Sequence, residues 1–568
     1  MKFILILTVV FASVFVNGQD IYYAEPVKIP ILLSGSFAEL RNNHFHSGID
    51  IKTQGRVDIP VFSVADGFIS RISISPTGYG NVLYIDHDNG TTSVYGHLNQ
   101  FRPDIQNYIK NIQYERKSFK VDVQILPGIF PVQKNEKFAL SGNSGSSEGP
   151  HLHFEIRNTK NDDPVNPLKL GFYTIKDNTP PKITALQLMP LSGASHVNFS
   201  SNKVIYDVEL VGGKYQIKNN QVIPVYGEIG FAVEANDYMD GSTNKCGINS
   251  MEMTIGGIVY SVFEINRFPF DESRFINSYI DYEEFATTGR RFQKTFIEPC
   301  NQLRNFEFNE NNGIFDPGFE GVHPVRIELK DSKGNSAVLE FSVEGKYREM
   351  PEVKEDFVSV FVCDQPNLWK TDEFSIELPE HALYKNLKFQ YQVKEAANGY
   401  YSAMHQIHNK TVPLHKSATV SIKTKDLPQS LTEKGLLVNI NPENGKFSSA
   451  GGKYENGWIT SEIRTFGNYA VRVDTVPPTI LPLSIAKKTS LTEPEKIRFE
   501  IKDDPAGIGT IEGLIDGKWA LFEYDAKSNL ITHYLDAERF EMNKQHSFKL
   551  TVTDNKGNSS GYEASFYK

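Results

Sequence analysis

Apolar and polar residues alternate with a period of two along much of the chain. The clearest case is His151-Leu152-His153-Phe154-Glu155-Ile156-Arg157. Read as a strand, it turns His151, His153, Glu155 and Arg157 one way and Leu152, Phe154 and Ile156 the other. That predicts a half-buried strand whose polar face looks onto a cleft or solvent. Tyr469, Val471 and Val473 alternate in the same manner, and His46, Gly48 and Asp50 share one face of an extended chain, opposite Ser47, Ile49 and Ile51. Phe, Tyr, Val, Ile and Thr are frequent, and long Ala/Leu/Glu/Lys runs are missing. The predicted fold class is all-β.

Turn and linker signals divide the pattern. Asp177-Asn178-Thr179-Pro180-Pro181-Lys182-Ile183 resembles Asp474-Thr475-Val476-Pro477-Pro478-Thr479-Ile480, and paired prolines favour an extended linker. Asp331-Ser332-Lys333-Gly334-Asn335-Ser336 matches Asp554-Asn555-Lys556-Gly557-Asn558-Ser559, each placed as a hairpin turn between strand-like runs. Between these markers, Asp237…Gly247-Ile248 echoes Asp504…Gly507-Ile508. One unit is therefore expected twice, over 177–347 with a large insertion and over 474–568, and its texture resembles immunoglobulin-like β-sandwiches. Residues 348–473 are expected to form another β-domain, and 19–175 a separate N-terminal one.

At 568 residues the chain has room for several domains, given roughly 100–200 residues each. With 39% hydrophobic and 23% charged residues it has a globular composition. A net charge of −10 argues against a nucleic-acid partner, which calls for a basic face. Lys2, the apolar run Phe3–Val16 and the small or polar exit Asn17-Gly18-Gln19 read as a signal peptide over 1–18. The apolar core is shorter than the ~20 residues that span a bilayer, and no later segment is apolar enough to do so. No Cys follows the run, which speaks against a lipid anchor. The expected location is secreted, periplasmic or cell envelope. The three cysteines, Cys246, Cys300 and Cys363, make no metal motif; one pair can bridge, with Cys246–Cys300 the first candidate.

Candidate chemistry is concentrated near the N-terminus. Six of the 14 histidines lie between residues 44 and 153, about twice their share by length. His46 and Asp50 offer an imidazole and a carboxylate on one face, with Gly48 between them leaving room for a ligand. In His151-x-His153, one ring can ligate a metal while the other bonds water. Tyr95-Gly96-His97-Leu98 adds a histidine, and Ser141-Gly142-Asn143-Ser144-Gly145 adds a glycine-rich turn before Gly149-Pro150. His44 is a candidate neighbour of the site, His87 reads as a strand end, and His405, His408 and His415 form a loose cluster further on.

Taken in order, His46-x-x-x-Asp50, Tyr95-Gly96-His97-Leu98, the glycine-rich turn and Gly149-Pro150-His151-Leu152-His153-Phe154-Glu155 resemble the lysostaphin/LytM-type zinc metallopeptidases, over about residues 35–168. Pro60-Val61-Phe62-Ser63-Val64-Ala65-Asp66-Gly67 and Gly78-Tyr79-Gly80-Asn81 add to the match. The resemblance implies a β-sheet hydrolase core with Zn²⁺ held by His46, Asp50 and His153, leaving the open position that catalytic zinc requires. It implies catalytic roles for His151, as general base, and for His97, holding water or stabilising the oxyanion. It also implies a zinc endopeptidase acting on peptidoglycan or its peptide stems. Two departures stand out: an added segment, 103–126, expected as a helix or loop beside the cleft, and Asn135 where the family commonly has Gly. The alternatives are a catalytically silent activator of another wall hydrolase, a surface adhesin, and a peptidase of proteins rather than wall.

Overall fold

The computed structural model describes residues 22–172, 175–308, 310–318, 320–351, 356–395, 398–485, 488–490, 496–536, 539, 541 and 543–567. The expected signal peptide lies outside the described residues. Strands dominate throughout, and no helix among the described residues is long and apolar enough to cross a membrane.

The N-terminal region is built on an antiparallel sheet in the order Leu33–Gly35, Ile49–Lys52, His151–Asn158, Thr91–Gly96, Asn81–His87, Gly67–Ile74, Val121–Gln124. A smaller sheet joins Pro60–Phe62, Lys137–Ser141 and Leu98–Phe101. Leu152, Phe154 and Ile156 fill the core with Tyr95 and Phe138, as the alternation predicts. The opposite face differs from expectation. Only His151 is partly open; His153, Glu155 and Arg157 are all buried, because neighbouring side chains satisfy their polar atoms. The strand expected across His46–Ile51 begins only at Ile49. Gly48 also has a different reason from the one expected: a Cβ there would lie 2.2 Å from the Phe154 carbonyl oxygen, so it permits strand contact rather than ligand approach. Asn135 has φ +68°, the left-handed conformation that Asn tolerates in place of Gly.

The segment 103–126 contains a helix, Pro103–Arg116, which starts on a proline and ends at Lys117 in the left-handed conformation. Ile105 and Ile109, four residues apart, bury its inner face. Its outer face meets the C-terminal region rather than the cleft. Tyr114 packs edge-on to Trp519, Arg539 lies 3.8 Å over the Tyr114 ring, and Lys110 pairs with Asp536 at 2.6 Å.

Residues 182–346 form a twelve-stranded arrangement around one core. Two five-stranded sheets enclose the core of the next region, with Phe374, Val420, Leu437 and Val471 between them. The last region packs a four-stranded sheet on a five-stranded one, with Phe499 stacked on Phe548. The turns that match in sequence also match in hydrogen bonding. Asp331 Oδ1 accepts the N–H groups of Lys333, Gly334 and Asn335, and Asn335 Nδ2 reaches Asp331 Oδ2 and the Asp177 carbonyl. Asp554 Oδ1 accepts those of Lys556 and Asn558, and Asn558 Nδ2 reaches Asp554 Oδ2 and the Asp474 carbonyl.

The disulfide joins Cys300 to Cys363, not Cys246 to Cys300. Cys246 is a free thiol in the core of the N-terminal region, carried there by a loop of the following domain.

Candidate active site

The register places the predicted residues together. His153 lies opposite Asp50 on one neighbouring strand and Gly96 on the other, and His97 follows Gly96. His46 Nε2 is 3.1 Å from His153 Nδ1 and 3.1 Å from Asp50 Oδ1, and His153 Nδ1 is 3.0 Å from Asp50 Oδ1. All three residues are buried, and each offers one ligand atom to a common point. His151 Nε2 stands 3.4 Å from Asp50 Oδ1, and the rings of His97 and His151 lie 4.7 Å apart.

Each of the four imidazoles has one nitrogen beside an oxygen that can only accept. His46 Nδ1 donates to the Ser36 carbonyl at 2.8 Å, His97 Nδ1 to the Ser144 carbonyl at 2.9 Å, and His151 Nδ1 to the Gly149 carbonyl at 2.8 Å. His153 Nε2 donates to Glu155 Oε1 at 2.7 Å. In the neutral rings the lone pairs are therefore on Nε2 of His46, His97 and His151 and on Nδ1 of His153, which face inward. Burial, with repulsion from His153 and His151, lowers His97 to about 3, so its ring is neutral and its Nε2 accepts rather than donates.

Charge around the ligands is balanced by buried partners. Burial works against an ionised Asp50, but His46, His151 and His153 hold its carboxyl well below the ordinary range, and Arg41 donates to its Oδ2 at 2.8 Å. Burial likewise opposes a charged His153, yet Asp50 and Glu155 outweigh it and raise the ring to about 9. Glu155 is fully buried. Burial opposes its charge, and Arg157, then His153, keep it ionised. Its Oε1 also accepts from Ser47 and from Tyr79, each at 2.6 Å, and its Oε2 from Arg157 Nε at 2.6 Å.

One wall of the cleft comes from the following domain. Phe45, one residue before His46, sits in that domain's core against Phe268 and Tyr279, and its N–H donates to Ser273 Oγ. Phe270 and Arg274 line the cleft from the same segment, and Phe270 lies 4.5 Å from the Arg157 guanidinium. Sequence reasoning missed Ser36, Arg41, Phe270 and Arg274. Arg41, nine residues before Asp50, was the nearest available signal. No lining residue among those described comes from 103–126. His44 is on the exposed rim, and His87 ends its strand as expected. His405, His408 and His415 do not converge: each stacks on a different phenylalanine, Phe374, Phe389 and Phe275.

Residues 44–113 match the model of peptidase family M23, a stretch that includes His46, Asp50 and His97. The chain carries a peptidase family M23 domain. Residues 358–474 match a Zu5-like domain. Among curated proteins, the M23 region is 33% identical over 130 residues to the DD-carboxypeptidase/endopeptidase Mpg of Neisseria meningitidis, covering 23% of each chain. It is 30% identical over 111 residues to the peptidoglycan DD-endopeptidase ShyB of Vibrio cholerae, covering 20% of each. The chain thus spans about a quarter or less of the length of these relatives. Among solved structures, a zinc-containing peptidase from Vibrio cholerae is 26% identical, over 25% of this chain and 37% of that one, with a TM-score of 0.19.

Proposed function

We propose that the chain is a zinc endopeptidase that hydrolyses peptide cross-links of peptidoglycan and works outside the cytoplasm, in the cell envelope. The carrying observation is the convergence of His46 Nε2, Asp50 Oδ1 and His153 Nδ1, each with its remaining polar atom tied down. Two imidazole nitrogens and one carboxylate suit zinc, and the open edge of the cleft leaves access for water and substrate. The acceptors behind the ligand histidines supply the fixed tautomers that such sites require. A zinc ion held there supplies Lewis acidity toward the scissile carbonyl and makes water a nucleophile near neutral pH.

The protein's own groups do the rest. His151, the more open of the catalytic pair, takes the proton from the attacking water at Nε2 and returns it to the leaving amine. His97, neutral and fixed by Ser144, holds that water at its own Nε2. Arg41 and Glu155 set the charge of the ligands without touching substrate. The sheets beyond residue 176 form domains at 177–347, 348–473 and 474–568; the first and last are immunoglobulin-like repeats, the first completing the cleft and the last docking on the helix Pro103–Arg116.

Mass spectrometry of fragments released from purified sacculi tests this reading. Wild-type protein loaded with zinc releases peptides cut within the cross-link, and His151→Ala releases none. Intact sacculi after wild-type treatment contradict it.

A further inference from the structure

A second cluster of potential ligands lies where the M23 domain meets the domain that follows. Asp177 leaves the M23 domain, Asp237 follows the strand Ile229–Asn236, and Asp331 opens the hairpin turn after Glu320–Lys330. Their carboxylate oxygens lie within 4.8 Å of one another, and the three residues are only 8%, 2% and 1% exposed. Buried like charges at this spacing repel, and each needs a partner. Yet Asp177 Oδ2 and Asp237 Oδ1 are buried and receive no hydrogen bond. Among the described residues no Lys or Arg forms an ion pair with any of the three. Lys333, on the same turn as Asp331, is close enough to interact electrostatically with Asp177 and Asp331 without forming an ion pair with either. Asp331, by contrast, is held by three backbone N–H groups, so one carboxylate is rigidly aimed while two have oxygens to spare.

We propose that Asp177, Asp237 and Asp331 bind a hard divalent cation of the calcium class at this junction. The donor set is oxygen only, which suits Ca²⁺ or Mg²⁺ and not the nitrogen-seeking zinc of the catalytic site. The repeated unit supplies an internal contrast. Asp474, Asp503 and Asp554 gather in the corresponding place, with Asp503 rather than the expected Asp504 as the third member. There Asp474 accepts from Val476 and Ala506, Asp503 from Gly507, and Asp554 from Lys556 and Asn558. That cluster is satisfied by backbone donors, and we assign it no ion.

The position gives the ion a structural task. Asp237 and Cys246 exchange both backbone hydrogen bonds, closing the loop between them. Gly247 N–H then donates to Ser36 Oγ, and the Ser36 carbonyl fixes His46 Nδ1. A cation on Asp237 therefore ties the interdomain linker to the loop that supports a ligand of the catalytic site.

Full-length protein dialysed against buffered calcium, with its zinc retained, provides the test. Elemental analysis should find a calcium equivalent in wild type that Asp237→Asn loses, with zinc unchanged, and added calcium should raise the melting temperature of wild type but not of the variant. Wild type without bound calcium and without the thermal shift overturns the proposal, as does an Asp237→Asn protein that binds calcium equally well. If the variant does not fold, a crystal of wild type grown with calcium decides. An anomalous peak among the three carboxylates supports the site, and its absence refutes it.

Discussion

Two buried three-residue clusters flank the Ser36 segment, and they are built on different plans. In the M23 cluster every ligand has a second partner: Ser36 behind His46, Arg41 behind Asp50, Glu155 behind His153. In the aspartate cluster two of the three residues keep an unpartnered oxygen. The first arrangement is preorganised by the protein, as the proposed catalytic zinc would need. The second relies on whatever binds there for its charge balance. A catalytic centre must hold its geometry while reactants come and go, whereas a structural ion can itself supply the order.

The largest expected effect breaks the M23 cluster in two different ways. His153→Ala should lose zinc and turnover together, while His151→Ala should keep zinc and lose turnover by ~10²–10⁴-fold, the usual contribution of a general base. Equal zinc loss in both would refute the division of roles. Neither change should alter calcium content.

A pH series sharpens the contrast next. His153 is raised to about 9, so below that pH a proton occupies its ligand site. Zinc uptake must displace this proton, and affinity should rise with pH up to about 9, by about tenfold per pH unit. Competition titrations with a zinc chelator between pH 6 and 8 measure the slope; a flat profile would show that the proton is not there.

Glu155→Gln keeps one acceptor oxygen, turns the other into an amide donor facing a donor, and removes the charge, leaving the buried Arg157 with the exposed Asp162 as its ionic partner among the described residues. Zinc affinity should fall ~10–100-fold, the range seen when such supporting groups are changed. The same titration checks it. The smallest effect is expected from Gly48→Ala, whose new Cβ pushes the Asp50 strand off Phe154. It should destabilise the M23 domain by ~1–3 kcal/mol in thermal melts and leave the aspartate cluster untouched.

Much of the site was legible because it is local. The alternation of 151–157 correctly paired a buried apolar face with a face carrying His151, His153 and Glu155, and the order of motifs brought His46, Asp50 and His97 to the same place. Burial of the polar face was not legible, because Ser47 and Tyr79, which satisfy Glu155 together with Arg157 two residues on, come from segments distant in sequence. The helix within 103–126 was open in sequence, but its docking on Trp519 and Arg539 depends on partners some 400 residues away. The disulfide escaped for the same reason: Cys246 is drawn into one core while Cys300 and Cys363 meet at the edge of another.

The most direct measurement is an anomalous-scattering map at the zinc edge from crystals of the full chain. One peak is expected in the cleft, bonded to His46 Nε2, Asp50 and His153 Nδ1, with His97 and His151 turned toward the metal's free side. A peak bonded to His151 or His97 in place of one of those three, or a cleft that takes up no zinc, would contradict it.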